Sequence, residues 1–333
     1  MPTRITTLTQ GSGEFNALFG NIQVPLASYI EEQDKRAREN CLAFHIFDER
    51  QSNSKAEGYG ALSEADEMDI VGSGEIAPLN SVNERELKII ENLLFKSSIK
   101  ITREAIEDAK GAMKKLLRSI GADKLTSSYY RTLESVCFGL LIAAAQNKKY
   151  YQRGTNRFET AAYDGKNVFA TDRKGGCNAF SDFLSKDTLG RIATAQQNFK
   201  SDKGNNIKVA SNTLIIPNDH DIKSAAFNVL GAEKDPGTAN DGFNYLFGQY
   251  RVIISNHLNV LVDGNNKPFI LMDGDYNKSL DGNVLQIRRD LEIKSREEAG
   301  DNNVWEATAR LGAGFVDWRH MAIGGVEWGK ALT

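Results

Sequence analysis

Hydrophobic and polar residues alternate with different periods along this chain, and each period marks a different kind of element. From Leu125 to about Gln146, Leu125, Tyr129, Leu133, Val136, Cys137, Leu140, Leu141 and Ala144 recur every three or four positions, which predicts one long helix. At ~1.5 Å per residue it would run ~33 Å, enough to cross a domain. A second helix is expected over Arg103 to Arg118, after Thr102 and before Gly121. Its acidic residues come early and its basic ones late, which complements the helix dipole. Ser185 is placed to cap a helix carrying Leu189, Ile192, Ala193 and Phe199, and Asn218 to cap another that closes at Gly231. Between them, Thr213 to Ile216 reads as a buried strand ended by Pro217. After residue 249 the pattern is mainly β: Arg251 to Ile254, Asn259 to Val262, the Asp263-Gly264 turn, Phe269 to Met272, Val284 to Ile293, and Trp305 to Phe315. Helices early and strands late predict an α+β fold rather than a doubly wound parallel sheet.

The first third is less regular. Residues 1 to 22 are rich in Thr, Gly and Asn, as expected of an extended arm, and from Pro25 an amphipathic helix is expected to run through about Phe47. A polar linker, Gln51 to Gly60, leads into a stretch holding Glu57, Glu64, Asp66, Glu67, Asp69 and Glu75 with no Lys or Arg until Arg85. Arg85 to Ile101 then places Lys88, Lys96 and Lys100 among strand-forming apolar residues. Residues 57–101 therefore read as a long two-stranded projection, which alone in water would be marginal and would need a partner chain. The alternative is an acidic solvated face on an ordinary sheet. Lys148, Lys149, Arg153 and Arg157 form a basic loop before the Asp164-Gly165 turn, which favours a tight connection into Asn167 to Thr171.

Length and composition narrow the function. A chain of 333 residues exceeds the usual single domain, so two or more lobes are expected. With 41% hydrophobic and 26% charged residues it can bury a sizeable core. A net charge of −3 supplies no global basic field for nucleic acid. Cys41, Cys137 and Cys177 are odd in number and far apart, which argues against a disulfide framework and fits a reducing cytoplasm. No secretory signal is apparent at the amino terminus. The longest apolar run, Val136 to Ala145, is too short to span a bilayer and suits a buried helix, so no membrane partner is expected.

Few constellations carry catalytic chemistry. Asn218, Asp219, His220 and Asp221 have ligand chemistry, but consecutive residues at a helix start cannot all face one ion and serve better as caps. Asp273, Asp275 and Asn277 echo a calcium loop without its Gly and late Glu, so a polar turn is expected there. The Gly11/Gly13 and Gly72/Gly74 pairs lack the rest of a phosphate-binding fingerprint. No serine sits in a nucleophile elbow, and the four histidines are isolated in sequence. No catalytic, cofactor or metal residue is therefore assigned. The competing class is a cytoplasmic metal-dependent enzyme using Asp219, His220 and Asp273.

Five segments in fixed order complete the reading: Tyr163–Asp172 (YDGKNVFATD), Ser185–Phe199, Thr213–Gly231 (TLIIPNDHDIKSAAFNVLG), Tyr250–Leu258 (YRVIISNHL) and Phe315–Met321 (FVDWRHM). The series resembles the major head subunits of Mu-like tailed phages, which have the Hong Kong 97-type capsid fold. The match in order and spacing covers about residues 85 to 325. Where members of that family commonly have His-Pro after the FATD-like segment, this chain has Arg173 and Lys174.

The resemblance implies a shell protein and not an enzyme. It implies an N-terminal arm and helix over 1–56, an extended loop over 57–101, and a peripheral domain over 102–175 with the spine helix at about 125–146. An axial domain would follow over 176–285, with a return to the peripheral domain over 286–333. The implied partners are the chain itself, in pentamers and hexamers, portal and scaffolding proteins, and packaged double-stranded DNA held by non-specific contact. The implied location is the virion, assembled in the host bacterial cytoplasm. Among inter-subunit contacts, Glu64, Asp66, Glu67 and Asp69 would face basic residues such as Lys148, Lys149, Arg153 and Arg157. A second reading within the same fold is an encapsulin-like compartment around a cargo protein.

Overall fold

The long apolar helix organises the molecule. The computed structural model describes residues 31–60, 87–102, 123–231, 244–298 and 302–332, with the single positions 70 and 76. The expected arm at 1–22, the helix over Arg103 to Arg118, both glycine pairs, and Glu64, Asp66, Glu67 and Asp69 lie outside the described residues. In chain order the elements are a helix at residues 31–40 (α1), α2 Ala43–Ile46, β1 Asp48–Gln51, β2 Ala56–Tyr59, β3 Lys88–Glu91, β4 Leu93–Ile101, α3 Thr126–Ala145, β5 Tyr150–Arg153 and β6 Asn156–Glu159. There follow α4 Lys186–Gln197, β7 Thr213–Pro217, α5 His220–Leu230, β8 Arg251–Ser255, a 3-10 segment Asn256–Leu261, β9 Phe269–Met272, α6 Gly274–Ser279, β10 Asn283–Glu298, β11 Asn302–Phe315 and β12 Met321–Gly324.

Two four-stranded sheets flank α3. The first has the order β1-β10-β11-β4, with β1 parallel to β10 and the other neighbours antiparallel. The second has the order β12-β9-β7-β8, with β7 and β8 parallel and the other pairs antiparallel. Alternation explains its sequence. Ile215, Ile270, Met272, Met321 and Ile323 point into the core shared with Leu133, Val136, Leu140 and Leu141 of α3. Leu214, Ile216, Phe269, Leu271 and Ala322 face the opposite way, onto Leu189 and Ile192 of α4 and Ile222 and Ala226 of α5. A sheet covered on both faces needs apolar residues at consecutive positions, hence the runs LIIP and FILM.

The same central core receives Leu285, Ile287, Leu311, Ala313 and Phe315 from the first sheet, so both sheets share one hydrophobic interior around α3. Glu134 of α3 adds a polar tie. It accepts a hydrogen bond from Leu42 N at 2.9 Å and lies 3.5 Å from His257 Nε2, while the His257 ring stacks on Phe138.

Several expectations are corrected. The helix expected through Phe47 gives way to the short α2 and the strand β1: Cys41, Ala43, Ile46 and Phe47 are core residues, and β1 hydrogen-bonds to β10. Of the span 57–101, only the two ends, through Gly60 and from Leu87, are described as strands and their flanks. β2 and β3 pair over four residues, but β4 joins β11 along its whole length and so gains the support that an isolated hairpin lacks. The last strand, β12, does not return to the first sheet but pairs with β9 in the second. Asn259 to Val262 is no strand, because Ser255 Oγ caps a 3-10 turn and Asn259 bonds to Asn218. The expected turn at Asp273 to Asn277 is the helix α6, capped by Asp273.

Candidate functional site

The segment Tyr163–Asp172 folds around the side chain that follows it. The Asp164-Gly165 turn needs a left-handed residue, and Gly165 takes φ +70°. The turn directs successive carbonyls inward, and Arg173, whose side chain is 3% exposed, gathers them. Its Nε donates to Asp164 Oδ2 at 2.7 Å, Nη1 to Val168 O at 2.9 Å and Asn178 Oδ1 at 3.2 Å, and Nη2 to Asn167 O at 2.5 Å. Fully buried Asn178 carries the network onward. It accepts from Ala170 N and donates to Val168 O, Met321 O and Trp318 O.

Trp318 joins this loop to the carboxyl-terminal segment. Its ring lies under two guanidinium groups, 4.6 Å from Arg173 and 5.0 Å from Arg319, and packs on Phe199 at 5.1 Å. Arg319 is 2% exposed and binds Asp317 at 3.1 Å, Asp202 at 2.5 Å and the Lys200 carbonyl at 3.1 Å. Burial works against the Arg319 charge, but the Asp317 and Asp202 carboxylates more than offset it and hold its pKa above the ordinary value. Tyr163 donates to Asp202 at 2.6 Å, and burial raises its phenol. Beside them, burial lowers the pKa of His320 to about 3, opposed by the Asp317 backbone, so the imidazole is neutral. Acceptors internal to the chain meet every nitrogen of the Arg173 and Arg319 guanidinium groups, so this is a joint between segments and offers no group to a substrate.

The basic loop is a β-hairpin, β5 with β6, seated on α3 through Tyr151 and Phe158. Seating needs Gly139, since a Cβ there would lie 2.3 Å from the Tyr151 ring. Lys148, Lys149 and Arg157 are exposed, the last two at 5.3 and 5.8 Å from the Tyr150 ring. Arg153 is not available to a neighbour in the same way, because it binds Ser135 Oγ at 2.7 Å. Buried Lys88 ties the hairpin to β3 through Glu159 at 2.8 Å. Glu57 is held within the chain by Ser52 Oγ and the backbone N–H groups of Asn53 and Ser54, which lower its pKa.

The residues of a supposed metal site do not converge. Asp219, and not Asn218, caps α5 by accepting from Asp221 N and Ile222 N; Asn218 instead binds Asn256 and Lys223. Thr213 is opposite Met272, so Asp273 sits beside the start of β7 while Asp219 lies beyond its end. At ~3.3 Å per residue the strand separates them by more than ~13 Å. Among the described residues no group of three or more His, Cys, Asp or Glu side chains is placed to hold a metal ion. No helix is long and apolar enough to cross a membrane, again among the described residues.

Sequence reasoning missed Asn178, whose role has no local signature, and treated Arg173 only as a departure from a family pattern. A lone arginine following a turn rich in carbonyls was the available signal.

A long buried helix between two sheets, one of them carrying the long β10–β11–β4 ribbon, is an architecture of the Hong Kong 97 type. The solved structures it resembles have that character. The capsid of Ralstonia phage GP4 superposes with a TM-score of 0.54 at 10% identity, covering 81% of this chain and 83% of that one. The capsid of a native GTA particle gives 0.53 at 12% identity, covering 100% and 96%. The capsid of the cyanophage P-SCSP1u gives 0.51 at 10% identity, covering 84% and 86%. No curated protein sequence matches the chain. The sequence model of a phage capsid protein family matches residues 95–324, and the chain belongs to that family. It is a capsid shell protein and not an enzyme, and its place is the capsid of a virion.

Proposed function

We propose that the chain is the major head subunit of a Mu-like tailed phage, assembling in the host cytoplasm as pentamers and hexamers of an icosahedral shell around double-stranded DNA. The family match across residues 95–324 carries this reading. The YDGKNVFATD and FVDWRHM segments that suggested the Mu-like group meet where Arg319 lies over Tyr163, with the following Arg173 over Trp318, which supports treating them as one device of the fold. Portal and scaffolding proteins would be its partners during assembly. In this reading α3 and the first sheet form the peripheral domain, and the second sheet with α4 and α5 forms the axial domain. Residues outside the described body, the leading arm and the acidic segment with Glu64, Asp66, Glu67 and Asp69, bind neighbouring copies. Basic surfaces such as Lys148, Lys149 and Arg157 receive acidic groups in return.

Electron microscopy of the expressed protein tests the shell, with closed particles as the expected result. Nuclease-protected DNA in particles from infected cells tests the cargo. Particles that instead enclose one captured protein would favour an encapsulin-like compartment, and a monomer at high concentration would remove the proposal altogether.

A further inference from the structure

The long strand β10 is interrupted, and its own sequence explains where. Leu285, Ile287, Leu291 and Ile293 stand at alternate positions and pack inward, and the same period would bury Arg289 among them. An arginine without a partner in that core would be costly. The pairing with β11 avoids it by two slips: Ile287 is opposite Leu311, Arg289 opposite Arg310, and Glu292 opposite Thr308. One slip exchanges the faces of a strand and a second restores them, so Arg289 turns outward while Leu291 and Ile293 return to the inner face. The ion pair of Arg289 with Glu292, at 3.7 Å, spans the second slip on the outside. On the α3 side the bulge is fastened by Asp290, whose Oδ1 accepts the Leu291 N–H at 2.9 Å and the Tyr129 hydroxyl at 2.9 Å.

The neighbouring tyrosine holds a different element. Tyr130 donates to Asp34 Oδ1 of α1 at 2.7 Å, and the rings of Tyr129 and Tyr130 meet edge to face at 5.0 Å. Both rings and Asp34 are buried, so neither ring can shift without displacing the other. We infer that this pair of tyrosines is a relay: a change in the seat of α1 passes through Tyr130 and Tyr129 to Asp290 and alters the bend of the ribbon. Each end of the relay is a hydroxyl bonded to a carboxylate, a charge-assisted contact stronger than a neutral one. Its output is a bulge, where the ladder leaves backbone groups unpaired and where the loss of one bond shifts local opening most. A separate path from α1 to β10 runs through the Arg38–Glu49 ion pair and β1, but β1 pairs with residues 284–287, short of the bulge. The relay itself does not depend on the shell-forming reading; only its use does, since in that reading a contact made by the segment leading into α1 would set the angle of the ribbon.

Hydrogen exchange of the full, unassembled chain, read by mass spectrometry, tests the relay. Tyr129→Phe should speed exchange in peptides covering residues 287–292 about tenfold, as expected for loss of a bond to a charged group. Asp34→Ala should speed exchange in α1 and, by about fivefold, in 287–292 as well. In the Tyr129→Phe background Asp34→Ala should add nothing at 287–292, which marks a shared path and not two separate losses. Peptides from β7 and β9, in the second sheet, are the control. If Asp34→Ala raises exchange there too, Tyr130→Phe, which keeps the ring, takes its place, and a rise spread equally over both sheets with that variant overturns the inference. An effect confined to α1 overturns it. So does an effect at 287–292 that persists undiminished without the Tyr129 hydroxyl, which would assign the coupling to Arg38, Glu49 and β1. No readout depends on assembly, so these results leave the shell reading untouched, and a chain that forms no particles leaves the relay untouched.

Discussion

Replacing Arg173 by methionine should destabilise the unassembled chain by about 3 kcal/mol, from the following balance. Removing one partner of a buried ion pair costs ~3–5 kcal/mol, because the remaining groups keep their desolvation without their bond. The structure moderates that range. Asp164 is 23% exposed and can regain water, Val168 O keeps its bond from Asn178 Nδ2, and Lys166 O keeps its bond from Ala162 N. The Asn167 carbonyl is the acceptor left worst off, since its 2.5 Å bond comes from Arg173. Loss of the cation over Trp318 adds ~1 kcal/mol. Methionine fills much of the volume, so little of the change would come from a cavity. Urea unfolding followed by tryptophan fluorescence measures the effect, with an unchanged denaturant slope showing that the unfolded state is the same. A loss below about 1 kcal/mol, the range of ordinary surface substitutions, would refute the account of Arg173 as the organiser of the loop.

Three further outcomes are expected. Gly139→Ala should cost about 1–3 kcal/mol by forcing the Tyr151 ring off α3, and Gly139→Ala with Tyr151→Ala should be less destabilised than the sum of the two, as thermal melts can show. Asp219→Ala should cost about 1 kcal/mol through loss of the α5 cap; equal loss from Asp219→Asn, itself a good cap, would contradict that origin. His320 has a folded pKa lowered to about 3 from 6.5, so the unfolded state takes up a proton first as pH falls. Its contribution is complete above pH 6.5 and is lost between there and pH 3, at a slope approaching ~1.4 kcal/mol per pH unit. His320→Gln should flatten stability measured across that window, and an unaltered slope would show that the imidazole is not the titrating group.

Legibility in the sequence followed the range of the interactions responsible. The spine helix, the Ser185 cap and the strands at Thr213 and Phe269 are set by local period or by a neighbouring side chain, and the structure places them where the pattern did. β1 and β12 are short strands whose identity depends on partners far along the chain, β10 and β9, so four residues of local pattern could not assign them to a sheet. Asn256, Asn259 and Asn218 bond one another across the end of β7, which turned an apparent strand into a 3-10 segment. The joint shows why weak motifs in fixed order were informative together. Tyr163–Asp172, the end of Ser185–Phe199 and Phe315–Met321 are distant in sequence, yet Trp318 and Arg319 touch all three. Thr213–Gly231 and Tyr250–Leu258 supply the parallel pair β7–β8 beside them. Each segment alone is a turn, a cap or an apolar run that many folds could use. A guanidinium buried beneath an indole, however, is stable only if every carbonyl and carboxylate around it arrives together, so the segments constrain one another through a contact that none of them displays singly.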